Sequence, residues 1–138
     1  MSPTERVLVA MEYGPRRSQL ADGLRALGLV PIEVDDCAQA RDALAKRRPL
    51  KLIISDATFR DGDWRDTLAS AQQPPTAASF LVSAPFPDHG LWSEALWRGA
   101  FDILVEPYSA SELRRIVEGA LRAQELAATQ LQATAGAA

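Results

Sequence analysis

Leu50-Lys-Leu-Ile-Ile-Ser55, followed at once by Asp56, is the stretch that decides the fold of this chain. The run Leu52-Ile-Ile54 does not alternate between apolar and polar residues. It therefore reads as a strand covered on both faces, the condition of a parallel sheet flanked by helices. Pro49 stops whatever precedes it, and the polar turn Asp61-Gly62-Asp63 lies a few residues beyond.

Upstream, Asp36 with Gln39 three residues later resembles a capping box. It opens a helix through Ala43, Leu44 and Arg47. Before it, Val30-Pro-Ile-Glu-Val34 reads as a strand, with Pro31 placing it at a sheet edge. Gly28 ends an earlier helix that starts at Pro15 and carries Leu20, Leu24 and Leu27 on one face. The first strand is Arg6-Val-Leu-Val-Ala-Met11.

Downstream, Asp63 caps a short helix through Leu68, and Gln72-Gln-Pro-Pro75 forms a loop. A fourth strand is Ala78-Ser-Phe-Leu-Val-Ser83. After the loop from Pro85 to Gly90, a helix through Trp92, Leu96 and Trp97 ends at Gly99, and Phe101-Asp-Ile-Leu-Val105 is the fifth strand. Ser109 and Glu112 form a capping box for the last helix, which carries Leu113, Ile116, Val117, Ala120 and Leu121. Residues 123–138 hold seven alanines and no charge after Glu125, so an Ala-rich helical tail follows a domain of residues 1–122. Leu126 and Leu131 in that tail offer a weak pairing surface for a second copy.

Five strands alternating with five helices predict one α/β domain, a doubly wound five-stranded parallel sheet. The 138 residues suffice for one such domain, and 47% hydrophobic against 24% charged residues is a globular balance. A net charge of −3 argues against a dedicated nucleic-acid binder. One Cys and one His exclude a Cys/His metal cluster and an intrachain disulfide. Cys37 reads as a small buried hydrophobe and His89 as a solvent-exposed loop residue. Met1 to Arg6 is polar and no apolar run approaches the roughly 18 residues of a membrane span, so a cytoplasmic protein without membrane contact is expected.

In such sheets the working crevice lies beyond the carboxyl ends of the strands. The residues there are Met11 and Glu12, Asp35 and Asp36, Asp56, Ser83 and Ala84, and Glu106-Pro107.

Leu52-Ile-Ile-Ser-Asp56, Phe80-Leu-Val-Ser-Ala84 and Gly99-Ala-Phe-Asp-Ile-Leu-Val-Glu-Pro107 together resemble the receiver domain of bacterial two-component response regulators, from about Arg6 to Arg122. The resemblance implies the flavodoxin-like receiver fold and a signalling domain, not an enzyme. It implies Asp56 as the phosphoacceptor and Ser83 as the hydroxyl that senses the phosphoryl group. It also implies a magnesium site of Glu12, Asp56 and the Thr58 carbonyl, and a cis bond at Glu106-Pro107. Its partners would be a histidine kinase or phosphotransfer protein and a downstream protein target. Homodimerisation would use the face of the fourth helix, fifth strand and last helix, where an exposed Trp92 or Trp97 would suit an interface while Leu96 and the other Trp enter the core. The chemistry is coherent, because a cation and a hydroxyl relieve the repulsion between a carboxylate nucleophile and an anionic phosphoryl group.

The pattern is nevertheless degenerate. Met11 replaces the first acid of the pair after the first strand, and Glu106 stands where the family has lysine. Ile103 replaces the aromatic switch residue, and Phe59-Arg60 replaces Met-Pro. Glu12, Asp56 and Glu106 would then bring three negative charges into one crevice. Like charges 4 Å apart repel by roughly 4 kcal/mol even at an effective dielectric of about 20. Arg16, Arg17 or Arg60 could fold over the site to offset this. Two readings follow: a pseudo-receiver acting through protein contacts with atypical or lost phosphorylation, and a fully active phosphorylatable single-domain regulator. A small α/β ligand-binding domain or enzyme is a third, poorly supported because no Gly-rich phosphate loop follows the first strand.

Overall fold

The computed structural model describes residues 5–46, 48–73 and 77–136. Met1–Thr4, Arg47 at the expected end of the second helix, Pro74–Pro75 of the expected loop and the last two alanines lie outside them. Strands β1 (Arg6–Ala10), β2 (Val30–Val34), β3 (Leu52–Asp56), β6 (Ser79–Ala84) and β7 (Asp102–Val105) form one parallel sheet in the order β2-β1-β3-β6-β7. β7 is thus the fifth strand expected above. Helices α1 (Pro15–Ala26), α2 (Cys37–Ala45), α3 (Trp64–Gln72), α4 (His89–Arg98) and α5 (Ala110–Gly136) connect and cover it.

Successive residues of the strands point to opposite faces, and both faces are covered. Val7, Val9, Leu52, Ile54, Leu81 and Leu104 pack with Leu20 and Leu24 of α1 and Leu113 and Val117 of α5. Leu8, Ile53, Phe80, Val82 and Ile103 pack with Ala40 of α2, Trp64 and Leu68 of α3 and Ala95 of α4. This two-sided burial explains why Leu52-Ile-Ile54 lacks alternation. Pro31 does lie in an edge strand, where its missing N–H leaves no ladder bond unmade.

Local capping follows the side-chain chemistry. Asp63 and Asp66 form a reciprocal capping box at α3, and Ser109 and Glu112 form one at α5. The Asp36–Gln39 box is only half realised. Asp36 accepts from the Gln39 N–H, but the Gln39 carboxamide accepts from the Asp35 N–H instead of the Asp36 N–H. Gly28 and Gly99 end α1 and α4 in the left-handed conformation, with φ of 83° and 112°.

Two local expectations need correction. The turn after β3 is a small antiparallel hairpin, β4 (Thr58–Phe59) with β5 (Gly62–Asp63), and α3 includes Gln72, the first residue of the expected loop. Neither Trp of α4 is core: Trp92 is 46% and Trp97 84% exposed, because α4 is seated on the sheet by the small Ala95. The last helix, which opens at Ala110, continues into the Ala-rich extension as far as Gly136. Leu126 and Leu131 in this extension are exposed and, five residues apart, point about 140° away from each other. No helix among the described residues is long and apolar enough to cross a membrane.

Candidate functional site

The chain leaves β1 for β2 on one side and then reaches β3 on the other, so the strand order reverses at β1. The carboxyl ends of β1, β3, β6 and β7 border the resulting crevice. Asp56 ends β3 and is in register with Ser83 of β6. Glu106 follows β7, its backbone N–H bonded to the Ala84 carbonyl at 2.8 Å, and the Glu106–Pro107 peptide is cis. The ladder that builds the sheet therefore also brings Asp56, Ser83 and Glu106 together.

Arg16, the second residue of α1, joins them. Its Nη1 and Nη2 donate to the two Asp56 carboxylate oxygens at 2.9 and 3.0 Å. Its Nε donates to Glu106 Oε2 at 2.9 Å and its Nη2 to Glu106 Oε1 at 2.5 Å. Ser83 Oγ donates to the same Glu106 Oε1 at 3.0 Å. Asp56 is nearly buried at 6% exposure, and its Oδ1 also accepts from the Ala57 N–H. The Arg16 guanidinium holds the Glu106 carboxyl below its ordinary range, against an opposing push from burial and with help from the Ser83 hydroxyl. The same pairing, through Glu106 first and Asp56 second, raises the Arg16 pKa above its already high value.

The other two arginines go elsewhere. Arg17 is buried, donates to the Met11 carbonyl, pairs with Asp35 and Glu33, and lies 5.0 Å from the centroid of the Tyr13 ring. Arg60 pairs with Asp36 at 2.8 Å. Glu12 is exposed and contributes, after Asp36 and Asp61, to the raised pKa of Arg60. Met11 is buried and fills the place of the first acid with apolar volume. Thr58 is exposed in β4, opposite Asp63. Cys37 is buried, and desolvation pushes its thiol up to about 11, far from the range of a reactive thiolate.

The expected concentration of three uncompensated charges is thus corrected. Asp56 and Glu106 meet one guanidinium, a formal −1, while Glu12 lies outside in solvent. The cation comes from the first turn of α1 instead of from the residue after β7. Sequence reasoning named Arg16 only as one of three candidates; the signal that could have singled it out is an arginine pair in a first turn that holds no acid.

Magnesium needs free oxygen donors in near-octahedral array. Here both carboxylates of the crevice are committed to Arg16, Glu12 is turned to solvent, and no group of three or more acidic, His or Cys side chains that could hold a metal gathers among the described residues. This donor set, as arranged, does not fit the ion.

No family model and no curated protein matches the chain in sequence. Solved structures do match in shape. One is the signal receiver domain of an HD domain-containing protein from Pseudomonas fluorescens Pf-5, with a TM-score of 0.78 at 24% identity over 88% of this chain and 98% of that one. Another is a response regulator receiver domain protein from Clostridium thermocellum, with 0.79 at 16% identity over 88% and 98%. A third is the beryllofluoride-activated NtrC4 receiver domain dimer, with 0.76 at 20% identity over 86% and 98%. The five-stranded sheet, its order and its five covering helices are accordingly those of the response-regulator receiver fold.

Proposed function

We propose that this chain is a receiver-like signalling module of a two-component phosphorelay that acts through protein–protein contacts and whose phosphorylation is atypical or lost. Asp56 is the potential phosphoacceptor, Ser83 the phosphoryl-sensing hydroxyl, and Glu106 holds the place of the receiver lysine. The observation that carries the reading is the double engagement of Arg16. A carboxylate attacks phosphorus with an oxygen lone pair, and both Asp56 oxygens accept from the guanidinium. The Ser83 hydroxyl is likewise occupied, since it donates to Glu106. An arriving phosphoryl group meets the Glu106 carboxylate where a lysine would attract it.

Partners in this reading are a histidine kinase or phosphotransfer protein and a downstream protein, with homodimerisation through α4, β7 and α5. Two features support a protein-binding role for that face: the exposure of Trp92 and Trp97, and a cavity of about 220 Å³ lined by Pro87, His89, Trp92, Ile103 and Val105. The net charge of −3 favours neither nucleic acid nor an anionic membrane as partner.

The test is incubation with acetyl phosphate and magnesium, read by intact-mass spectrometry beside Asp56→Asn. Wild type is expected to stay unlabelled, like the variant. A stable acyl phosphate on wild type and none on Asp56→Asn would instead establish the fully phosphorylatable regulator.

A further inference from the structure

We infer that Arg16 is the resident cation of this crevice, and that Asp56, Glu106 and Ser83 form a guanidinium site in place of a divalent-metal site. The inference deepens the functional reading above and rests on it for the identity of the crevice; the geometry that carries it is independent of phosphorylation.

A guanidinium is planar and has two edges that can each meet a carboxylate with two N–H bonds. Both edges of Arg16 are used. The Nη1–Nη2 edge faces Asp56 and the Nε–Nη2 edge faces Glu106, at the distances given above. Ser83 fixes the orientation of the Glu106 carboxylate by bonding one of its oxygens, the one that also accepts from Arg16 Nη2. An ammonium or a metal ion is a point charge and has no planar fork to match two carboxylates presented at two adjacent edges.

The start of α1 shows a local cost that this pairing offsets. The macrodipole and the unpaired N–H groups of a helix start favour acids there. This helix opens at Gly14 with no side-chain cap, has no acid in its first turn, and carries Arg16 and Arg17 instead. A breach of the local rule with a tertiary partner for each breached position marks residues placed for the site. Glu106 supplies the counterpart: as glutamate it adds a second acid for Arg16, where a lysine would repel it.

Thermal melts of wild type, Arg16→Ala and Arg16→Lys test this, each with millimolar magnesium chloride, methylguanidinium chloride or sodium chloride at matched ionic strength. Wild type is expected to melt at the same temperature in all three. Arg16→Ala should melt about 6 °C lower, because two carboxylates lose their shared cation. Methylguanidinium should restore at least half of that loss while magnesium restores less. Arg16→Lys should fall between, since an ammonium keeps the charge and loses the fork. Magnesium raising the wild-type midpoint by several degrees overturns the inference, as does Arg16→Ala melting with wild type. Failure of methylguanidinium to outdo magnesium on Arg16→Ala overturns it equally.

If Arg16→Ala does not fold, amide spectra of wild type with manganese decide alone. Sharp Asp56, Ala57 and Ser83 signals support the guanidinium site, and selective broadening there refutes it. Labelling by acetyl phosphate bears on the functional reading only, so the two can fail separately.

Discussion

The crevice at the strand ends and the surface of α4 and β7 treat their unmet interactions in opposite ways. In the crevice, Arg16 answers Asp56 and Glu106, and beside it, at the end of β2, Arg17 answers Asp35 and Glu33 and Arg60 answers Asp36. On the other surface, Trp97 is 84% and Phe86 74% exposed, and the cavity beside Trp92 is floored by Ile103 and Val105. Charge is satisfied within the chain, whereas apolar area is left uncovered. Water tolerates exposed charge far better than large aromatic surface. The uncovered apolar area of this chain therefore lies on α4 and β7, the face proposed above for protein contacts.

The contrast breaks first at Arg16. Removing it leaves Asp56 and Glu106 facing each other, an uncompensated and mostly buried pair. Loss of one partner from a buried ion pair costs about 3–5 kcal/mol; the 44% exposure of Arg16 discounts this to about 2 kcal/mol. Urea denaturation should show a lower midpoint with an unchanged slope. The double variant Arg16→Ala with Glu106→Gln should recover part of the loss, because one of the stranded charges is gone. A loss below about 0.5 kcal/mol for Arg16→Ala would put the crevice on a par with ordinary surface pairs and end the contrast.

Next in size is the effect of Glu106→Lys on phosphorylation. The substitution removes the anion that faces an incoming phosphoryl group, releases Ser83 and supplies the missing ammonium. Labelling by acetyl phosphate should become detectable on Glu106→Lys under conditions where wild type stays unlabelled. Equal labelling of the two proteins would show that the Glu106 charge is not what separates this crevice from a reactive one.

Why one member of this comparison was readable from sequence and the other only in part follows from range and direction. Strands such as Leu52–Asp56 announce themselves locally, because burial on both faces demands an unbroken apolar run. Helix starts at Asp63 and Ser109 do so as well, since capping is a contact over three residues. Asp56, Ser83 and Glu106 were legible together because strand register carries residues of distant sequence to one edge. The Arg16 pairings span 40 and 90 residues and depend on which way a side chain leaves the first turn of a helix. Arg16, Arg17 and Arg60 are equal candidates until that direction is known. Glu12 is the converse case, a matching position whose side chain lies in solvent. On α4, Trp92 and Trp97 looked like one core and one surface residue, yet Ala95 takes the buried position and leaves both outside.

A smaller effect tests how α4 is held while its outer side stays uncovered. Arg65 of α3 donates to both Glu94 oxygens at 2.5 Å, and Arg98 adds a bond at 2.7 Å. Arg65 above all, then Arg98, holds the Glu94 carboxyl down at about 2, against an ordinary value of 4.5. A lowered pKa in the folded state means stability that is present above 4.5 and lost as pH falls toward 2. The difference in melting temperature between wild type and Glu94→Gln should therefore be constant above that window and shrink within it. Salt should shrink it too, because the network is solvent-exposed. A difference that ignores pH between 4.5 and 2 would show that the ion pairs do not fasten α4.

The smallest effect on folding, and the sharpest test of the exposed face, is Trp97→Ser. With 84% of the residue already in water, little apolar burial is lost, and the stability change should stay within about 0.5 kcal/mol. An interface that uses Trp97 would nevertheless lose one of the side chains most often found among binding hot spots. Light scattering across a concentration series should then show less self-association for Trp97→Ser than for wild type, at equal melting temperature. The pairing of an undisturbed fold with weakened association separates a binding face from a packing defect. A stability loss of several kcal/mol would mean that Trp97 works for the fold, and the uncovered surface would cease to be the counterpart of the satisfied crevice.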